Sequence, residues 1–205
     1  MNFLKSNQLA FLSRWILAAI IGTMAGSRIF DVLTVYSKYV FTVSLSWIAT
    51  VGIFISLTQW LVFQVTPKIK WWLITSFSGS ILSGVIAGTI DEELYYVSLR
   101  NGDYHNIFSF LVGLCIGIII GFTQWLSLRQ LFPNTKKWIV ASALGWAIGL
   151  MMFRFDFPNT LYETLNPIFG IEFAWFFHIV LLCIPMAGIT GLAIIKFSDL
   201  IKESE

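Results

Sequence analysis

The chain has 205 residues, 57% of them hydrophobic and 12% charged, with a mean hydropathy of +0.80 and a formal net charge of +2. A soluble domain carries about 25% charged residues, so composition excludes a water-facing globular fold and makes lipid the solvent. No basic run points to nucleic acid, and Cys115 and Cys183 both sit in apolar stretches and read as buried small hydrophobes, with no sign of a disulfide framework or a CxxC metal site.

Apolar stretches of roughly 20 residues, long enough to span a bilayer, recur along the whole chain. They leave no room for a separate soluble domain, so residues 1–205 read as a single transmembrane domain. The first predicted span covers 12–33. Met24-Ala25-Gly26 also mimics a signal-peptide cleavage site, but this span matches the repeat described below. Arg28 and Asp31 lie three apart at its far end, where a helical pair meets. Spans two and three are predicted over 41–65 and 71–90. The polar stretch 91–106 follows as the longest connection, with a turn at Asn101-Gly102-Asp103. Spans four and five cover 107–131 and 138–153. Residues 153–167, with Pro158 and Pro167, alternate aromatic and charged side chains and read as a segment lying at the membrane interface. Span six covers 169–195, with Pro185 inside it.

Charge asymmetry orients six spans. With both chain ends on one side, that side holds Lys5, Arg14, Lys68, Lys70, Arg129, Lys136, Lys137, Lys196 and Lys202. The other side keeps only Arg28, Lys38, Arg100 and Arg154. The positive-inside rule then makes the richer side cytoplasmic. The expected location is a bacterial plasma (inner) membrane, or the thylakoid membrane in a cyanobacterium.

Two stretches repeat. Residues 52–84 and 117–149 each contain Thr-Gln-Trp-Leu (58–61 and 123–126), then a proline (Pro67, Pro133), then tryptophan, serine and glycine at fixed spacing. Each copy reads as a helical hairpin turning at its proline. In the first helix of each copy, Gly52, Ser56 and Gln59 match Gly117, Gly121 and Gln124, spaced i, i+4, i+7. In the second, Trp72, Ser76, Gly79 and Ser83 match Trp138, Ser142, Gly145 and Gly149. These are faces of small residues carrying one polar group. Lipid gives helices no hydrophobic reason to associate, so small faces that let backbones approach supply the attraction.

Counting from the prolines at about 1.5 Å per residue puts amide and serine at matched depth, about 12–14 Å from the turn. An unpaired amide in hydrocarbon costs on the order of several kcal/mol. The expectation is therefore one clasp within each hairpin, Gln59 to Ser76 and Gln124 to Ser142. The first span carries the second-helix pattern at Trp15, Ala19, Gly22 and Gly26. The last offers Ala187, Gly191 and Ile194 as the first-helix pattern. Spans six and one would then form a third hairpin divided between the two ends. The predicted fold class is an all-α polytopic membrane protein, six transmembrane helices built from repeated hairpins in a pseudo-threefold arrangement.

The repeated pattern, carried by residues 59–79 and 124–145, resembles a group of small multi-pass membrane proteins of bacteria, largely cyanobacteria. Their usual form has arginines after the Gln-Trp-Leu; here Arg129 stands in one copy and Gln64 in the other. The group has no assigned reaction, ligand or catalytic residue, so the resemblance implies fold and location alone.

Four residues are candidates for a ligand site in the outer half: Glu172, His178, Arg28 and Asp31. Ionisable groups at membrane depth point to function by default. Against that, Glu172 can reach the interface, His178 can bond a carbonyl, and Arg28 with Asp31 suits an interfacial ion pair. Gln59 and Gln124 could line a cavity instead of clasping helices. Trp71, Trp72 and Trp138 read as interface anchors. Asp91, Glu92 and Glu93 read as a solvated rim, and His105 lacks a second ligand at metal-site spacing. The chain has no HExxH, GxSxG, Walker or GxGxxG motif, so no enzyme, cofactor or metal is expected. Two readings result. One is a non-enzymatic structural or accessory membrane component, whose partners are the lipid bilayer and other membrane proteins. The alternative is a small-molecule or ion carrier, or the substrate-binding subunit of an uptake system.

Overall fold

The structure is a computed structural model that describes residues 8–34, 40–63, 71–101, 105–130, 135–153 and 171–202. Within these ranges the side chains of 34, 40–46, 63, 91–101, 105–106, 171–174 and 198–202 fall outside the description. Six helices account for nearly all of it: α1 (Gln8–Thr34), α2 (Val40–Phe63), α3 (Trp72–Asn101), α4 (His105–Leu128), α5 (Lys137–Phe153) and α6 (Ile171–Lys202). Four apolar stretches are long enough to cross a membrane: Gln8–Leu33, Trp72–Ile90, Ile107–Leu128 and Trp175–Phe197. Trp47–Val62 and Lys137–Phe153 are shorter apolar helices. The turns expected at Pro67 and Pro133 and the interfacial segment after Phe153 lie outside the described residues.

One boundary differs from expectation. The stretch from Asp91, expected as a polar connection, continues α3 as far as Asn101. Its Glu, Leu, Tyr and Arg residues are compatible with helix, and the first strong breaker is the Asn101-Gly102 pair. The apolar stretch ends at Ile90, but the helix does not. Pro185 is accommodated inside α6.

Each helix packs on the next in chain order, and α6 packs back on α1, so the six close into a ring. Outward positions are apolar: Leu17, Ile21, Ile74, Ile118, Phe122, Ile184 and Leu192 are all exposed. Inward positions mix large apolar residues with polar ones: Ile116, Leu128 and Leu182 are buried, and so are Ser56, Gln59, Ser76, Ser80, Gln124, Ser142 and Thr190. Hydrophobicity therefore does not separate inside from outside. The placing of amide and hydroxyl groups does, as expected for helices in an apolar solvent.

Glycines set the closeness of the contacts. A Cβ added to Gly22 of α1 would lie 2.6 Å from the Ile55 Cα of α2. The matching positions behave alike: Gly79 of α3 faces the Ile120 Cα of α4 at 3.3 Å, and Gly145 of α5 faces the Met186 Cα of α6 at 3.1 Å. One turn further, Gly26 meets Val51, the Ser83 hydroxyl donates to the Ile116 carbonyl (3.4 Å), and Gly149 meets the Leu182 carbonyl. This face was expected to join the two helices of one hairpin. It instead joins α1 to α2, α3 to α4 and α5 to α6, the junctions between hairpins. The first-helix face does pack within each hairpin as expected, with Gly52 against Ser80 of α3 and Gly117 and Gly121 against Ser142 of α5, where Gly113 also meets Ala147. The hydroxyls inside this packing bond mostly to their own helix. Thr23 donates to Ala19 (2.8 Å), Ser56 to Gly52 (2.6 Å) and Ser80 to Ser76 (2.8 Å), which keeps them satisfied without water.

Candidate functional site: a polar core inside the ring

Trp15, Trp72 and Trp138 occupy the first position of the small-residue pattern in α1, α3 and α5. All three are fully or almost fully buried. Their rings meet edge to face, Trp15 with Trp72 at 6.2 Å and Trp72 with Trp138 at 6.0 Å. Such pairs add about 0.5–1.5 kcal/mol beyond area burial. Trp72 and Trp138 are thus core residues and not the interface anchors expected; Trp71, 56% exposed, is the one that faces outward. The signal was present in the sequence: Trp72 and Trp138 share a helical face with the inward serines, while Trp71 lies about 100° away.

The tryptophan layer feeds the polar core. Trp138 Nε1 donates to the Gln124 side-chain oxygen (3.1 Å), and Gln124 Nε2 donates to the Ser76 hydroxyl (3.2 Å). The glutamine therefore bridges two junctions at once, α5 on one side and α3 on the other. The expected partner, Ser142, does not receive this bond. Ser142 instead packs its Cβ against Gly121 and its carbonyl against Gly117. Thr75 and Ser127 add a second hydroxyl pair between α3 and α4 (2.8 Å).

The α6–α1 contact follows the same scheme with a different residue. Trp15 Nε1 donates to Thr190 Oγ1 (3.1 Å), and the Thr190 hydroxyl in turn donates to the Met186 carbonyl (2.8 Å). Thr190, not Ile194, therefore holds the place of Gln59 and Gln124. The sequence alignment of the last helix was one turn out, because a shift of four residues keeps the same face. Cys183, Ala187 and Thr190 are the positions matching Gly117, Gly121 and Gln124. Gln59 is the exception. It is buried, yet no side-chain hydrogen bond joins it to another described residue. The residue on α1 that matches Ser76 is Ala19, which has no hydroxyl to offer. Ala19→Ser should supply one. The expected result is a rise in thermal midpoint in detergent worth about 0.6–1.7 kcal/mol, the range of interhelical hydrogen bonds in membranes. The rise should vanish when Gln59 is also replaced by Leu, so four melting curves decide the matter.

A cavity of about 20 Å³ lies among these groups. It is lined by residues of five helices, among them Gln59 and Ser56 of α2, Ser80 of α3, Gln124 of α4, Trp138 and Ser142 of α5, and Thr190 of α6.

Of the four candidates, His178, Arg28 and Asp31 do not line this cavity. His178 is buried in an aromatic nest, stacked on Trp175 (6.4 Å) and edge-on to Phe153 (5.9 Å), with Trp47 beyond. Arg28 and Asp31 are exposed near the end of α1. The Glu172 side chain lies outside the described residues. The histidine is thus set in a ring-lined interior, while the α1 pair is at the surface. Of the cysteines, Cys183 is buried against Thr23 (3.2 Å), but Cys115 is exposed, contrary to expectation. The sequence signal for Ser56, Ser80 and Thr190 as lining residues is their place three or four residues from Gly52, Ser76 and Ala187, on the same helical face. No family model, curated protein or solved structure matches the chain.

Proposed function

We propose that this chain is an integral membrane protein whose six helices all cross the bilayer as three quasi-equivalent couples, and that it serves as a non-enzymatic structural or accessory component. The couples are α2 with α3, α4 with α5, and α6 with α1, the last divided between the two ends of the ring. Recurrence of the same contacts at Gly22, Gly79 and Gly145 supports the pseudo-threefold arrangement. The lysine and arginine distribution supports cytoplasmic ends in a bacterial inner or thylakoid membrane. The resemblance to small cyanobacterial multi-pass proteins favours the same location.

The observation that carries the functional reading is the size of the polar interior. About 20 Å³ is far below the roughly 300–1,000 Å³ of small-molecule sites. The inward glutamine, serines and threonine are engaged mainly with one another and with backbone carbonyls, which holds helices in register. What such a ring presents to its surroundings is its apolar outer wall, suited to lipid and to other membrane proteins. Purification in a mild detergent, followed by mass spectrometry of the intact assembly, tests this. A membrane protein retained in fixed stoichiometry is the expected result. A small molecule retained in fixed stoichiometry with no protein partner would contradict it.

A further inference from the structure

We infer that the central cavity is a binding site for one water molecule, which completes the bridge at Gln59 that neighbouring side chains do not. Each matching position has a direct solution. Gln124 donates to Ser76 and accepts from Trp138, and Thr190 accepts from Trp15. Gln59, 5% exposed, lines the cavity and makes no side-chain hydrogen bond to a described residue. An amide left so in a membrane interior is costly.

Space and chemistry both select water. A cavity needs about 10–15 Å³ of this measure to admit one water molecule, and this one has about 20 Å³. The hydroxyls of Ser56 and Ser80 have already given their protons to the carbonyls of Gly52 and Ser76. Their oxygens line the same cavity and keep lone pairs for a donor. Gln59 brings N–H groups that need an acceptor. Water supplies two donors and two lone pairs, and buried waters typically make about three hydrogen bonds. A monovalent cation would meet the oxygens but not the N–H groups. Among the described residues no carboxylate lines the cavity to repay its lost hydration.

The test is an experimental structure of the full chain in lipid, at a resolution that reveals ordered water, in sodium chloride and again in choline chloride. The expected result is one density peak about 3 Å from the Gln59 amide and from a serine oxygen, equal in both salts. In Gln59→Met, similar in shape, that peak should be lost. No peak in the parent protein overturns the inference. So does a peak that requires sodium, one that persists in Gln59→Met, or a Gln59 amide bonded directly to a neighbouring side chain. If Gln59→Met does not fold, the comparison of the two salts on the parent protein still decides.

Discussion

Gly117→Val should abolish recovery of folded protein, whereas Gly188→Ala should leave it intact. The two glycines lie on neighbouring halves of the ring and differ in what a side chain would meet. A Cβ at Gly117 would come within 2.5 Å of the Ser142 carbonyl and 2.6 Å of the Ala143 Cα. Both are backbone atoms of α5, so no rotamer change relieves the clash; the helices must separate. Gly113 and Gly121 face α5 as well, and a wedge between them would part the whole contact. Overpacking costs about 1–3 kcal/mol even in cores that can adjust, and here the obstacle is main chain, so the upper end is expected. At Gly188 a Cβ would meet nothing within 4 Å. Alanine there gains about 0.5–1 kcal/mol of helix propensity over glycine. Yield of monodisperse protein after solubilisation, with thermal midpoints for whatever survives, checks both. Equal tolerance at the two positions would refute the close backbone approach.

Gln124→Leu should be the most damaging change of a single polar group. It orphans two buried partners, the Trp138 N–H and the Ser76 hydroxyl. An orphaned buried group costs about 1–3 kcal/mol, although interhelical hydrogen bonds in membranes average nearer 0.6 kcal/mol. A loss of about 2 kcal/mol is expected in reversible unfolding by denaturing detergent. Two double-mutant cycles identify the partner. Gln124→Leu with Ser76→Ala should show coupling, because the second change removes an orphan made by the first. Gln124→Leu with Ser142→Ala should be additive. The opposite pattern would restore a clasp inside the hairpin and would place the amide on the wrong neighbour.

That distinction also marks how far the sequence could be read. The apolar stretches, the duplicated Thr-Gln-Trp-Leu and the small-residue faces all follow from residue identity and helical period, and the folded helices lie where they indicate. A small face states that something comes close, but not which neighbour. Ser76 and Ser142 are at matched depth relative to Gln124, and only the order of helices around the ring selects Ser76. The place of Thr190 was hidden by the same periodicity, since Ile194 lies on the same face one turn on. Trp72 and Trp138 resembled surface anchors because aromatic residues beside a turn usually are. Their burial depends on Trp15, which lies far off in the chain. The nest around His178 is drawn from α2, α5 and α6 together, so no local pattern announces it.

The seal between α6 and α1 bears on how the protein is made. Gly191 lies against Leu12 and Trp15, and the Trp15 bond to Thr190 crosses the same boundary. Every other junction joins helices that leave the ribosome in succession. This one joins the first of the six to be synthesised to the last. During translation the α6-facing side of α1 must therefore wait for α6, with Trp15 already resting on Trp72 but its indole N–H still without Thr190. A chain arrested before α6 would leave two separated edges open, the Trp15 side of α1 and the Gly145 and Gly149 side of α5, which only the last helix closes.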